Sequence, residues 1–138
     1  NPFSLIGAPW IDEKFFEKLI NSKISGTKII FKSFKPISIK GKSENPKHLD
    51  ALCNGIILSI TDRDSFQPIK TALKAIMLAK EIYPLDLIIN ETNMKKLWGN
   101  GDIFDYLNGK ISEKQIKKIL DQGIEKFKEQ RQPFLLYN

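Results

Sequence analysis

Cys53-Asn54-Gly55-Ile56-Ile57-Leu58-Ser59-Ile60-Thr61-Asp62-Arg63-Asp64-Ser65-Phe66-Gln67-Pro68 joins a run of β-branched and apolar residues to a knot of charge, after which a helical pattern begins. Ile56, Ile57, Leu58 and Ile60 predict a buried strand over Gly55 to Thr61. Charges that follow directly on a strand commonly line a cleft. Arg63 stands out further, because of the 22 basic side chains only Arg63 and Arg131 are arginines. Lysine suffices for general surface charge in this chain. An arginine here points to a planar, permanently charged fork suited to a carboxylate or a phosphate. The structural alternative is an internal clamp in which Arg63 bridges Asp62 or Asp64 and ties down the turn.

The chain reads strand, helix, strand, long loop, strand, helix, strand, then helices to the end. Toward the N-terminus, an 18-residue loop from Lys35 to Leu52 holds Pro36, Gly41, Asn45 and Pro46. A loop of that length is either a functional flap over a cleft or a surface excursion. It follows a strand, Lys28 to Phe34, and before that a helix from Asp12 to Asn21 whose Phe15, Phe16, Leu19 and Ile20 share one face. Asp12 is its N-cap and Ser25-Gly26 mark the exit. A first strand runs from Phe3 to Ala8 and closes at Pro9.

Toward the C-terminus, Ile69, Ala72, Leu73, Ile76, Ala79 and Tyr83 keep helical spacing up to Pro84, and a short strand is expected at Asp86 to Ile89. Gly99 and Gly101 mark a turn between short helices. Ser112 with Gln115 forms a capping box for a last helix, whose buried face is expected to be Ile116, Ile119, Leu120, Gly123, Ile124 and Phe127, ending at Pro133. Tyr137 is expected to pack the chain end. This order is that of an α+β domain, a split-βαβ sandwich with added C-terminal helices. An α/β doubly wound sheet is the alternative.

A length of 138 residues fits a single domain with a real core. The chain begins Asn1-Pro2-Phe3, with strand-like residues at once, which suggests a piece of something longer. No run of about 18 apolar residues is present to span a bilayer. Cys53 is the one cysteine and His48 the one histidine, so neither an internal disulfide nor a conventional metal site is expected, and no cofactor is implied. The net charge of +6 invites a nucleic-acid reading. Most lysines, however, sit on helix faces among acids, as Lys114, Lys117 and Lys118 do beside Glu113 and Asp121, so nucleic acid is not the expected partner.

Several catalytic templates fail: there is no nucleophile elbow, phosphate-binding loop or zinc-protease helix. Asp62 and Asp64 are too close in sequence to flank both sides of a sugar ring. Cys53 reads as a buried, inert thiol. Trp10, after Ala8-Pro9, can stack on a sugar or serve the core.

Taken together, Ile6-Gly7-Ala8-Pro9-Trp10-Ile11-Asp12, Phe34-Lys35-Pro36, Cys53-Asn54-Gly55, Ile60 through Pro68, Tyr83-Pro84 and Leu135-Leu136-Tyr137 resemble the C-terminal domain of the NamZ-type exo-β-N-acetylmuramidases. The resemblance implies a two-domain bacterial parent, periplasmic or secreted, with a Rossmann-like N-terminal domain that is absent here. It also implies a sugar site in the cleft between the domains, and release of N-acetylmuramic acid from non-reducing ends of peptidoglycan fragments. The isolated domain would then be inactive, with the missing domain and a muropeptide as partners. The resemblance points to Arg63, Asp62, Trp10 and Asn54 as substrate-holding residues, with Arg63, oriented by Asp62, either gripping the lactyl carboxylate or docking the other domain; the bond-breaking residues are not identified. Two departures bear on activity: Asn100 within Gly99-Asn100-Gly101, where relatives tend to carry Gly-Thr-Asp, and Ala51 ahead of the cysteine. A binding module for an anionic glycan, a protein or nucleic acid is the alternative function.

Overall fold

The computed structural model describes residues 4–136, and Phe3 and Tyr137 lie outside them. It is a mixed α+β structure that divides into two compact units, one up to Ile88 and one from Ile89.

The first unit is built on a three-stranded antiparallel sheet of order β1-β3-β2, with β1 at Leu5–Ala8, β2 at Thr27–Phe34 and β3 at Cys53–Ile60. The register runs from Thr27 opposite Ile60 to Phe34 opposite Cys53, and from Leu5 opposite Ile57 to Ala8 opposite Asn54. β1 and β2 are therefore parallel to one another with β3 inserted between them, which is the split-βαβ arrangement. The connecting helix α1 (Glu13–Asn21) starts where expected, because the Asp12 carboxylate accepts from the free backbone N–H groups of Lys14 and Phe15. Its apolar face buries Phe15 and Leu19. Helix α2 (Pro68–Ile82) opens on a proline, whose missing N–H costs nothing at a first turn. Ala8, Ile11, Phe15, Leu19, Ile29, Ile56, Leu78, Ala79 and Tyr83 form the core on this helical side of the sheet.

One expected element is missing. Asp86 to Ile89, expected as a fourth strand, form a turn and irregular chain, so among the described residues the outer edge of β1 has no strand partner. The Tyr83 carbonyl accepts from both Asp86 N and Leu87 N. These bonds fold the segment back on the end of α2 instead of extending it along β1.

The second unit holds α3 (Glu91–Trp98), α4 (Asp102–Leu107) and α5 (Glu113–Arg131), then a 3₁₀ turn at Gln132–Phe134. Gly99 at φ +80 ends α3 in a left-handed cap. The Ser112–Gln115 capping box is present with both bonds made. The expected burial along α5 is not. Of its apolar stripe only Ile116 is buried, while Ile119, Gly123, Ile124 and Phe127 are exposed. Periodicity identified the face correctly but cannot say whether anything covers it.

Candidate functional site

The four sequence-derived site residues fall at opposite ends of β3. Asn54 is its second residue and pairs with Ala8, two residues before Trp10. Asp62 and Arg63 follow its far end, beside Gly26 and Thr27. Eight residue steps of nearly extended chain run from Asn54 to Asp62, roughly 25 Å at the usual rise of a strand. Trp10 and Asn54 belong to one locality, Asp62 and Arg63 to another.

At the first end, most residues of the Gly7-to-Asp12 segment are accounted for by the fold. A Cβ on Gly7 would lie 2.5 Å from the Phe34 ring and 2.6 Å from the Asn54 carbonyl oxygen. Ala8 and Ile11 are buried, and Trp10 packs on Tyr83 with ring centroids 5.0 Å apart. Trp10 is thus a half-buried side chain packed against the core rather than a free platform. The Tyr83 hydroxyl donates to Asp12 Oδ1 at 2.5 Å and accepts from Asp12 N at 3.0 Å. This hydroxyl bond is the main influence holding the Asp12 carboxyl below its ordinary range. Burial first, and Asp12 second, push the Tyr83 phenol up to about 12.

An open cup of about 470 Å³ sits beside this pair, lined by Asp12, Glu13, Lys14, Phe31, Ser33 and Asn54. Ser33 Oγ donates to Asn54 Oδ1 at 2.8 Å, which leaves the Asn54 amide N–H groups directed elsewhere. Ser33, Glu13, Lys14 and the Asp12–Tyr83 pair were not identified from sequence. Ser33 meets Asn54 only through the β2–β3 register, which the long intervening loop hides, and Asp12 and Tyr83 are 71 residues apart.

At the second end, the Asp62 carboxylate accepts from Ser65 Oγ at 2.7 Å and from Asp64 N at 3.0 Å, and these bonds hold its carboxyl below the ordinary range. Gly26, at φ +69, accepts from both Thr61 N and Asp62 N, and a Cβ there would collide with the Asp62 carbonyl oxygen. The turn is therefore held by Asp62, Ser65 and Gly26. Neither the clamp from Arg63 to Asp62 or Asp64 nor an orienting bond from Asp62 to Arg63 is formed. Among the described residues Arg63 has no ion-pair or hydrogen-bond partner and is exposed. The turn keeps its shape without the arginine.

The loop from Lys35 to Leu52 is closed at its base, where Asp50 N donates to the Pro36 carbonyl at 2.9 Å and Lys35 pairs with Asp50 at 3.7 Å. A small bridge joins Ile39 to Ser43. Cys53 at the loop's end is fully buried, and burial raises its thiol pKa, so it is a poor nucleophile. No group of three or more metal-ligating side chains occurs among the described residues. Among them, too, no helix is long and apolar enough to cross a membrane.

The family described as exo-beta-N-acetylmuramidase NamZ, C-terminal, matches residues 1–137. The peptidoglycan beta-N-acetylmuramidase NamZ of Bacillus subtilis is 33% identical over 138 residues, a match that covers 99% of this chain and 32% of the relative. The crystal structure of a DUF1343 family protein from Bacteroides fragilis superposes with a TM-score of 0.80 at 17% identity, over 99% of this chain and 36% of that one. This second likeness carries the fold alone. The chain spans about a third of the length of each.

Proposed function

Because the chain belongs to the C-terminal family of the NamZ exo-β-N-acetylmuramidases, we propose that it is the cleft-forming C-terminal part of such an enzyme. On this reading the parent releases N-acetylmuramic acid from non-reducing ends of peptidoglycan fragments. This part supplies substrate-holding groups and not the pair that breaks the bond. The observation that carries the reading onto a residue is Arg63. It is one of two arginines in the chain, stands in the family-like Thr61-Asp62-Arg63 segment, and has no internal partner among the described residues.

N-acetylmuramic acid differs from its sibling amino sugar by a lactyl ether that ends in a carboxylate. A guanidinium matches a carboxylate with two parallel N–H···O bonds, which a lysine cannot do. Arg63 is held at the end of a rigid strand by a turn that its own side chain does not build, so its fork is available to a ligand. The cup around Asn54 lies too far along β3 to share one sugar with it. Asn54 and Ser33 are then placed for a second portion of a glycan or for the parent's remaining domain.

Two of the carboxylates near these groups, Asp12 and Asp62, are already committed to the fold, which supports an inactive fragment. Asp12 is engaged by Tyr83 and the start of α1, and Asp62 by Ser65 and Asp64. Neither is a protonated acid poised near neutral pH, since both carboxyls are held low. The test is release of N-acetylmuramic acid from a chromogenic muramide by the full-length parent, with the 138-residue chain alongside. Turnover by the parent and none by the chain is expected. Turnover by the chain alone would sink the proposed division of labour. Silence from both, with tight binding of a muramic-acid ligand, would favour a non-catalytic glycan module.

A further inference from the structure

The second unit exposes an apolar groove of about 390 Å³ between the α3–α4 turn and α5, lined by Trp98, Asp102, Ile119, Gly123, Ile124 and Phe127 among others. We propose that this groove is the seat of the parent's remaining domain, the region that lies beyond the third of the Bacillus subtilis relative matched by this chain. The inference rests on the proposed two-domain reading and deepens it by naming the docking surface.

Three observations converge on the groove. Ile124 is 49% exposed and Phe127 60%, one turn apart on a helix that otherwise carries charge, so the exposure is organised as a stripe and is not scattered. Gly123 lies in the middle of that stripe, where glycine disfavours a helix relative to alanine. A Cβ there would meet nothing within 4 Å, so no contact inside this chain explains the glycine. It is the one place on the stripe where an incoming backbone could approach α5 closely.

The opposite face of α5 is already suited to water, with Lys128 paired to Glu125 at 2.9 Å. A bilayer surface is a poor match, because it cannot fill a concavity bounded by the α3–α4 turn. A protein surface that inserts a side chain beside Phe127 can. A missing region about twice the length of this chain, as in the relatives, is large enough to cover this groove, and a fixed cleft needs apolar surface buried between its walls.

Thiol labelling tests the seat directly, since the native Cys53 is fully buried and reacts poorly. Ile124→Cys and, separately, Lys118→Cys would be placed in the 138-residue chain and in the full-length parent. Maleimide labelling of each site would be timed by mass spectrometry, with muramidase turnover measured on the same parent samples. The expected result is labelling at position 124 at least tenfold slower in the parent than in the chain, with position 118 labelled equally in both. Equal rates at 124 in an active parent would overturn the docking face and leave the enzymatic reading standing. Slow labelling at 124 in a parent that lacks turnover would keep the docking face and sink the enzymatic reading. Protection in the isolated chain that grows with its concentration would assign the groove to a second copy and overturn the proposal. Phe127→Glu supplies a second arm: the isolated chain should keep its melting temperature to within a few degrees, while protection at position 124 in the parent is lost.

Discussion

The two ends of β3 carry the same kind of sequence signal and do different work. At the Asn54 end, the residues from Gly7 to Asp12 are bound into the fold: a glycine under the Phe34 ring, two buried apolar side chains, a tryptophan on Tyr83, and an aspartate that both caps α1 and holds the Tyr83 hydroxyl. At the Asp62 end, Asp62 builds the turn with Ser65 and Gly26, and the exposed Arg63 beside it makes no side-chain hydrogen bond or ion pair among the described residues. Most of a recognisable motif is there because the fold needs it. The residue that the fold does not need is where a ligand-binding role should be sought.

If the Asn54 end of β3 is bound into the fold, Gly55 cannot tolerate a side chain. Gly55 lies in the central strand, and a Cβ on it would run into the Ile6 carbonyl oxygen, a backbone atom that cannot rotate away. Gly55→Ala should cost about 3 kcal/mol or more, the upper end of overpacking. Urea unfolding of the 138-residue chain measures it, and a loss under about 1 kcal/mol would mean that β1 is free to move. Asp12→Ala removes an N-cap and the partner of Tyr83 together, so a loss of about 2 kcal/mol is expected by the same assay.

Tyr83→Phe should cost less, about 1 kcal/mol at neutral pH, and should change the pH dependence. Asp12 is held low in the folded chain, so its contribution is complete above the unfolded value, about 3.9, and is lost as pH falls through the lower folded value. Tyr83 is raised from 10.0 to about 12, so its contribution is intact below pH 10 and is lost as pH rises toward 12. Melting temperatures from pH 2 to 12 should show the variant's deficit shrinking at both extremes. A deficit that stays constant through the acid limb would show that the Asp12 hydrogen bond does not carry it, since phenylalanine keeps the ring against Trp10.

How much of this was legible without coordinates follows the range of each interaction. The N-cap at Asp12 and the capping box at Ser112 are encoded within a few residues and stand where the sequence put them, while the strand expected over Gly55 to Thr61 begins two residues earlier and ends one earlier, at Cys53–Ile60. Leu87, Ile88 and Ile89 look like a strand by composition, but a strand requires an edge to pair with, and the end of α2 captures Asp86 and Leu87 instead. The α5 stripe was recognisable as apolar, yet coverage depends on a surface that periodicity does not describe. Arg63, Asp62, Trp10 and Asn54 read as one site because sequence proximity carries no direction. Eight residues of strand then separate them into two.

Arg63→Lys should have the smallest effect on the fold, within about 0.5 kcal/mol, as for a surface substitution without partners. In the parent the same change keeps the positive charge and removes the second N–H···O bond to a carboxylate. The expected result is a fall in kcat/KM of tenfold or more on a muramic-acid substrate. A substrate whose lactyl carboxylate is esterified should already be poor for the wild type and should lose little more. Equal losses of stability and turnover would restore the clamp reading and make the two ends of β3 alike. A loss of turnover that ignores the esterification would place Arg63 against the parent's other domain rather than the sugar. Only the split, stability kept and carboxylate discrimination lost, is what an arginine held out from a self-sufficient turn to grip the lactyl group would produce.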